Sequence, residues 1–181
     1  MIDESNKINS DTSIIIKESN KKRKLNITLE DYLEDTKDKL NLYLNAQQIK
    51  DEKKLKSFLR NRFSVSCNLA IEEGKLSPSS FQNDEAVIHE NAHIISMQYL
   101  LQDEVNITKL EDATSPYNCL RLSPNLHKAF DKNKITFNTE GRIEGYNENK
   151  FISIDIKNHL KRKEYIKINY ENWLKFKRNM Q

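Results

Sequence analysis

The stretch YNCLRLSPNLHKAFD, Tyr117 to Asp131, decides how the rest of the chain is read. A lone Asn118 precedes the apolar positions Leu120 and Leu122, and Ser123-Pro124 follows. Serine at an N-cap with proline at the first helical position is a helix-start signal. A helix beginning there puts His127 and Asp131 at i and i+4 on one face, where a nitrogen and a carboxylate can reach one cation. Leu126, Ala129 and Phe130 supply the buried side of the same helix. The bland alternative is a surface histidine–aspartate pair that needs no metal.

Working outward, the chain has four histidines: His89, His93, His127 and His159. His93 lies in AVIHENAHIIS, whose mix of β-branched and small residues reads as a strand. Flanked by Ala92 and Ile94-Ile95, it projects into an apolar neighbourhood. A neutral histidine beside a cation there is a candidate general base. The competing reading is a core histidine hydrogen-bonded to backbone. His159, in KNHLKRK, is given no role.

The ordered series His93, Asn118, His127 resembles the HNH family of nucleases, which use the ββα-metal fold. The nearest pattern is the branch with AHI in its first strand and N-x-L-x-L-x-x-x-x-H-x-x-x-x-D in its second half. NAHII at Asn91 to Ile95, then Asn118, Leu120, Leu122 and His127, carry the match, with Asn118 nine positions before His127. HKAFDKNKITFNTEGRI continues it into a β-hairpin, so the resemblance spans about Val87 to Gly145.

The resemblance implies one-metal hydrolysis of a phosphodiester. His93 would be the base that takes a proton from the attacking water, and Asn118 would orient it. His127 would hold a divalent cation, Mg²⁺ first, with Mn²⁺, Ni²⁺ or Zn²⁺ as alternatives. The chain also departs from the family pattern. Many relatives carry a ligand immediately before the base, where this chain has Ala92. Asp131 is the candidate replacement, with Asn91 and His89 weaker ones. The paired Cys-x-x-Cys motifs that many relatives use for a structural zinc are missing, and Cys119 stands where a glycine usually follows the asparagine.

The remainder fits around that motif. With 181 residues, 36% hydrophobic and 31% charged, the chain suits one domain and an appendage. No apolar run approaches a membrane span, and no signal segment opens the chain, so the cytoplasm is the default. Cys67 and Cys119 form neither a zinc motif nor a disulfide framework. Residues 1–26 read as a polar arm, with Ile14 to Ile16 as a short strand candidate. A helical region covers 27–75. Its first helix is capped by Thr28, with Leu29, Tyr32, Leu33, Thr36, Leu40, Tyr43 and Leu44 on one stripe. A second helix is expected over Asp51 to Arg62, and GKLSPSS, Gly74 to Ser80, is a loop by composition.

Residues 80–181 are read as the nuclease domain with its C-terminal extension. A hairpin carries Ile135, Phe137 and Ile143, and Ile152, Ile154 and Ile156 mark a half-buried strand. A short terminal helix turns Trp173 and Phe176 inward. The fold class is therefore α+β: a ββα-metal core with an N-terminal helical extension and a C-terminal hairpin plus helix.

The net charge of +3 says little, but the basic residues cluster in KKRK (Lys21 to Lys24), RNR (Arg60 to Arg62) and KNHLKRK (Lys157 to Lys163). Lys157, Lys161, Arg162, Lys163, Lys175, Lys177 and Arg178 are candidate contacts to double-stranded DNA. A merely solvated basic face is the alternative. A DNA endonuclease of restriction type, working as a homodimer, leads the functional readings. Behind it stand a nicking or homing nuclease, a toxin nuclease, and a DNA-binding module on a decayed nuclease fold.

Overall fold

A computed structural model describes residues 27–45, 51–77, 80–81, 88–145, 152–153 and 159–181. The arm 1–26 with its KKRK run, the candidate contact Lys157 and the strand positions Ile154 and Ile156 lie outside these residues.

Two long helices come first, α1 (Leu29–Asn45) and α2 (Glu52–Glu72). Thr28 caps α1 as expected: its Oγ1 accepts from the Asp31 N–H at 3.1 Å and donates to the Asp31 carboxylate at 2.7 Å. Asp51 caps α2 through the Lys54 N–H at 3.1 Å. Helix α2 does not stop at Arg62 but runs a further ten residues to Glu72. The reason is tertiary. Phe63, Ser66, Cys67, Leu69 and Ala70 are all buried along its second half, and the Ser66 hydroxyl donates to the Thr114 carbonyl at 2.7 Å. Packing outweighs the weak helix propensity of the Ser-Val-Ser-Cys-Asn run.

Strand β1 (Ser80–Phe81) precedes β2 (Glu90–His93). Helices α3 (Met97–Leu100) and α4 (Ile107–Thr114) follow, in a segment for which the sequence reading named no element. Their caps were nonetheless written in the sequence: Ser96 accepts from the Tyr99 N–H and Asn106 from the Lys109 N–H, at 3.2 and 3.0 Å. A single 3-10 turn, Pro116–Asn118, leads into β3 (Cys119–Leu122), and Ser123-Pro124 starts α5 (Pro124–Asp131) as expected.

Strands β2 and β3 pair antiparallel, with His93 opposite Cys119, Ala92 opposite Leu120, Asn91 opposite Arg121 and Glu90 opposite Leu122. Helix α5 packs on both strands, completing a ββα unit. Asn133, just past α5, takes a positive φ of 53°, which asparagine tolerates better than most residues.

The expected hairpin is present as β4 (Thr136–Phe137) and β5 (Ile143–Glu144). Its turn is tied by the Asn138 side-chain oxygen, which accepts from the Glu140 and Arg142 N–H groups at 3.0 Å each, and it needs Gly141 at φ 81°. Strand β6 (Ile152–Ser153) pairs back onto β1. The C-terminal helix, α6 (Leu160–Asn179), is longer than expected and takes in the LKRK of the basic run. Arg162, Tyr165 and Ile166, spaced at three and four residues, bury its first half and extend the helix back to Leu160.

One core joins these pieces. Ala92 and Ile94, Leu120 and Leu122, Leu126 and Phe130, Phe137 and Ile166 pack in a single cluster with Leu40 of α1 and Leu55 and Leu59 of α2. A second cluster beneath α2 holds Phe63, Cys67 and Cys119. Both cysteines are free thiols there, and the Cys67 thiol is pushed far up by its hydrogen bond with Cys119 and by burial.

Candidate active site

His93 ends β2, and its ring is held from two sides. Nε2 lies 3.0 Å from the carbonyl oxygen of Ala113, in the last turn of α4. A carbonyl only accepts, so Nε2 carries the proton and Nδ1 of the neutral ring keeps its lone pair. The Phe63 ring stacks on the imidazole with centroids 3.6 Å apart. Burial holds the His93 pKa below the ordinary histidine value of 6.5, opposed in part by the Ala113 hydrogen bond. The ring is thus neutral and has one fixed tautomer.

Asn118 is fully buried and makes the joint behind that ring. Its Oδ1 accepts from the Ile95 N–H at 2.8 Å, while Nδ2 donates to the carbonyls of Ile95 and Asp112, both at 3.1 Å. One amide therefore ties the chain just after His93 to the turn of α4 that presents the Ala113 carbonyl. No smaller or charged side chain satisfies two acceptors and a donor in this arrangement.

His127 projects from α5 into a carboxylate pair. Nδ1 is 2.7 Å from Glu90 Oε2, and Nε2 is 3.4 Å from Asp131 Oδ2. When the Nδ1 proton is donated to Glu90, Nε2 and the Asp131 carboxylate are two acceptors facing each other, a nitrogen–oxygen donor pair that a cation could occupy. A divalent ion that takes one nitrogen, one carboxylate and further oxygens from water and phosphate suits this donor pair. Among the described residues no group of three or more His, Cys, Asp or Glu side chains is placed to hold a metal ion by itself. The charges of Asp131 and His127 act on the His93 ring, and His93 and Asp131 line one cavity of about 440 Å³.

Residues 69–138 match the family model described as HNH endonuclease. The chain carries an HNH endonuclease domain. Comparisons with curated proteins and with solved structures gave no match. The HNH match takes in the last turn of α2, both strands β2 and β3, and α5, and so includes Glu90, His93, Asn118, His127 and Asp131. HNH nucleases act on DNA and generally use divalent metal ions, and this domain is α+β as expected.

Glu90 and Ala113, the partners of the two candidate histidines, were not anticipated. Glu90 had a legible signal: strand alternation puts it on the face of Ala92, two positions upstream of the missing ligand. The weaker candidates, Asn91 and His89, make no hydrogen bond or ion pair with His127 or Asp131 among the described residues. Ala113 contributes only its carbonyl, which no side-chain pattern reveals.

The basic candidates around the HNH domain divide. Lys163 and Lys175 are exposed on α6. Lys161 pairs with Asp112 at 3.2 Å, the Lys177 ammonium sits over the Trp173 ring at 5.2 Å, and the Arg178 Nε donates to the Leu174 carbonyl at 3.3 Å. Arg162 is a correction: it is 8% exposed, and its Nη2 donates to the Cys119 carbonyl at 2.8 Å. Its guanidinium holds α6 to β3 and is not presented to a phosphate. Phe176 is a second correction, being 38% exposed rather than turned inward, because the second half of α6 leaves the core. No described helix is long and apolar enough to cross a membrane.

Proposed function

We propose that this HNH domain is a metal-dependent DNA endonuclease of restriction type, cutting double-stranded DNA as a homodimer. The observation that carries the reading is the state of His93: neutral, of fixed tautomer, with Nδ1 bearing the lone pair and Nε2 on the Ala113 carbonyl at 3.0 Å. That is what a general base requires.

In the proposed reaction His93 Nδ1 takes a proton from a water as its oxygen bonds to phosphorus, and the bond from phosphorus to the 3′ oxygen breaks. Asn118 is a positioning residue, because it fixes both the backbone after His93 and the turn that carries Ala113. His127 Nε2 and Asp131 would hold the divalent cation, Mg²⁺ first, and Glu90 would fix the His127 tautomer through Nδ1. When bound, the ion supplies charge stabilisation at the phosphate and the leaving oxygen. Lys161, Lys163, Lys175, Lys177 and Arg178 supply sequence-independent attraction to phosphates.

The decayed-fold reading rested on Ala92. Glu90 and Asp131 around His127 weigh against it, since carboxylates stand beside the histidine even though residue 92 has none.

The test is cleavage of supercoiled and linear DNA in Mg²⁺, Mn²⁺, Ni²⁺ or EDTA, beside His93→Ala and His127→Ala. Metal-dependent cutting is expected, abolished in His93→Ala with folding and DNA retention intact. His127→Ala is expected to lose calorimetric metal binding as well. Discrete bands support a restriction-type enzyme, and normal cutting by His93→Ala removes the assigned base.

A further inference from the structure

The cavity beside His93 and Asp131 has walls that phosphodiester hydrolysis alone does not call for. At about 440 Å³ it is the size of a small-ligand site. Its lining includes three aromatic residues, Tyr99 from α3 and Trp173 and Phe176 from α6. Tyr99 is 46% and Phe176 38% exposed, so their ring surface is open to a ligand in the cavity. Trp173 is fixed rather than loose: its indole N–H donates to the Asn133 carbonyl at 3.0 Å.

The same cavity is lined by the side-chain amides of Gln98 and Asn172, neither of which makes a hydrogen bond with another described residue. Exposed ring surface with free amide donors and acceptors in the same wall complements a nucleobase, which has π faces and a polar edge. Lys177 lies over the Trp173 ring, which also stacks with Tyr170, so the ring surface open to a base is that of Tyr99 and Phe176. The Lys177 ammonium sets a positive charge beside Trp173 for the attached phosphate.

We infer that this cavity receives the base of a nucleotide beside the scissile phosphate, turned out of the helical stack. The inference rests on the nuclease reading for its placement, since it takes the phosphate to lie near His93 and Asp131. A base still paired in a duplex offers neither its faces nor its Watson–Crick edge to such a site. The domain therefore swings one base out of a duplex or takes a strand already unpaired.

The chain has a single tryptophan, Trp173, so fluorescence excited selectively at tryptophan reports on the cavity wall. The protein with His93→Ala is titrated in EDTA, where no cutting occurs, with a mixed-sequence single-stranded deoxyoligonucleotide and with a strand of the same length lacking all bases. The intact strand is expected to quench Trp173 and to bind about tenfold more tightly than the abasic one. Phe176→Ala and Asn172→Ala, each added to His93→Ala, are expected to abolish most of that preference. Both side chains are at least partly exposed, and circular dichroism checks that the variants are folded.

Equal binding of the abasic strand, or a preference untouched by both variants, overturns the inference. Wild-type cutting in Mg²⁺ is scored separately. Cutting without base preference removes the pocket and leaves the nuclease. Base preference without cutting keeps the pocket and removes the nuclease.

Discussion

His93 sits between two influences of opposite sign: burial against Phe63, which disfavours the charged ring, and the Ala113 carbonyl, which favours a proton on Nε2. Burial is the larger, so the folded chain keeps the ring neutral to a lower pH than a free histidine. In the window below 6.5 the unfolded chain binds this proton and the folded chain does not, so stability falls as pH drops through it. Activity falls in the same direction, at the lower folded value, because the base is lost there. The acid limb of log kcat/KM against pH is therefore expected below 6.5, and Phe63→Leu is expected to move it toward 6.5 by admitting water to the ring face. An acid limb above 6.5 in the wild type contradicts this account of the ring. At this scale the sequence named the candidate residues and left their partners open. His127 and Asp131 meet because a helix makes i and i+4 neighbours. Glu90 meets His127 across 37 positions, which no local pattern encodes.

Helix α6 shows how one element can hold two jobs that composition does not separate. Lys161, Arg162 and Lys163 are adjacent and basic, yet the helical turn sends Arg162 into the core and leaves its neighbours in solvent. Arg162→Met is expected to cost about 1–3 kcal/mol in denaturant unfolding, from the Cys119 carbonyl losing a charged donor, with the salt dependence of DNA binding unchanged. Lys163→Ala is expected to do the reverse, leaving stability intact and lowering the slope of log K against log salt by about one. A lowered salt slope in Arg162→Met would put that guanidinium on the DNA. The short helices α3 and α4 teach the converse lesson. Their serine and asparagine caps were readable, but four and eight residues are too few for periodicity to stand out.

Across the whole molecule, Leu40, Leu55 and Leu59 of the N-terminal helices pack in one cluster with the β2–β3 pair and α5. We therefore propose that the helices of 27–75 are structurally part of the nuclease fold rather than a separate module, although the family match begins only at residue 69. Leu59→Ala is expected to cost about 2–5 kcal/mol and to lower a single cooperative unfolding transition. Two separable transitions in calorimetry, with the variant shifting one of them, would show that the helical region folds alone. The shared core also explains the tie from Ser66 of α2 to the Thr114 carbonyl, one residue beyond Ala113: the N-terminal helices brace the turn that fixes His93.

The sequence by itself determined the start of α5 at Ser123-Pro124, the hairpin, and the placing of His127 and Asp131 one helical turn apart. Each of these is carried by a local signal: a cap, an alternation, or a spacing of three or four residues. The ββα order and the candidacy of His93 and Asn118 came from the resemblance to the HNH pattern. Tertiary structure alone decided the tautomer of His93, the Glu90 partner of His127, the burial of Arg162, and the aromatic cavity shared by α3 and α6. These depend on which groups meet across long stretches of chain. Burial and long-range hydrogen bonds act on positions in space, and a spacing along the chain does not specify them.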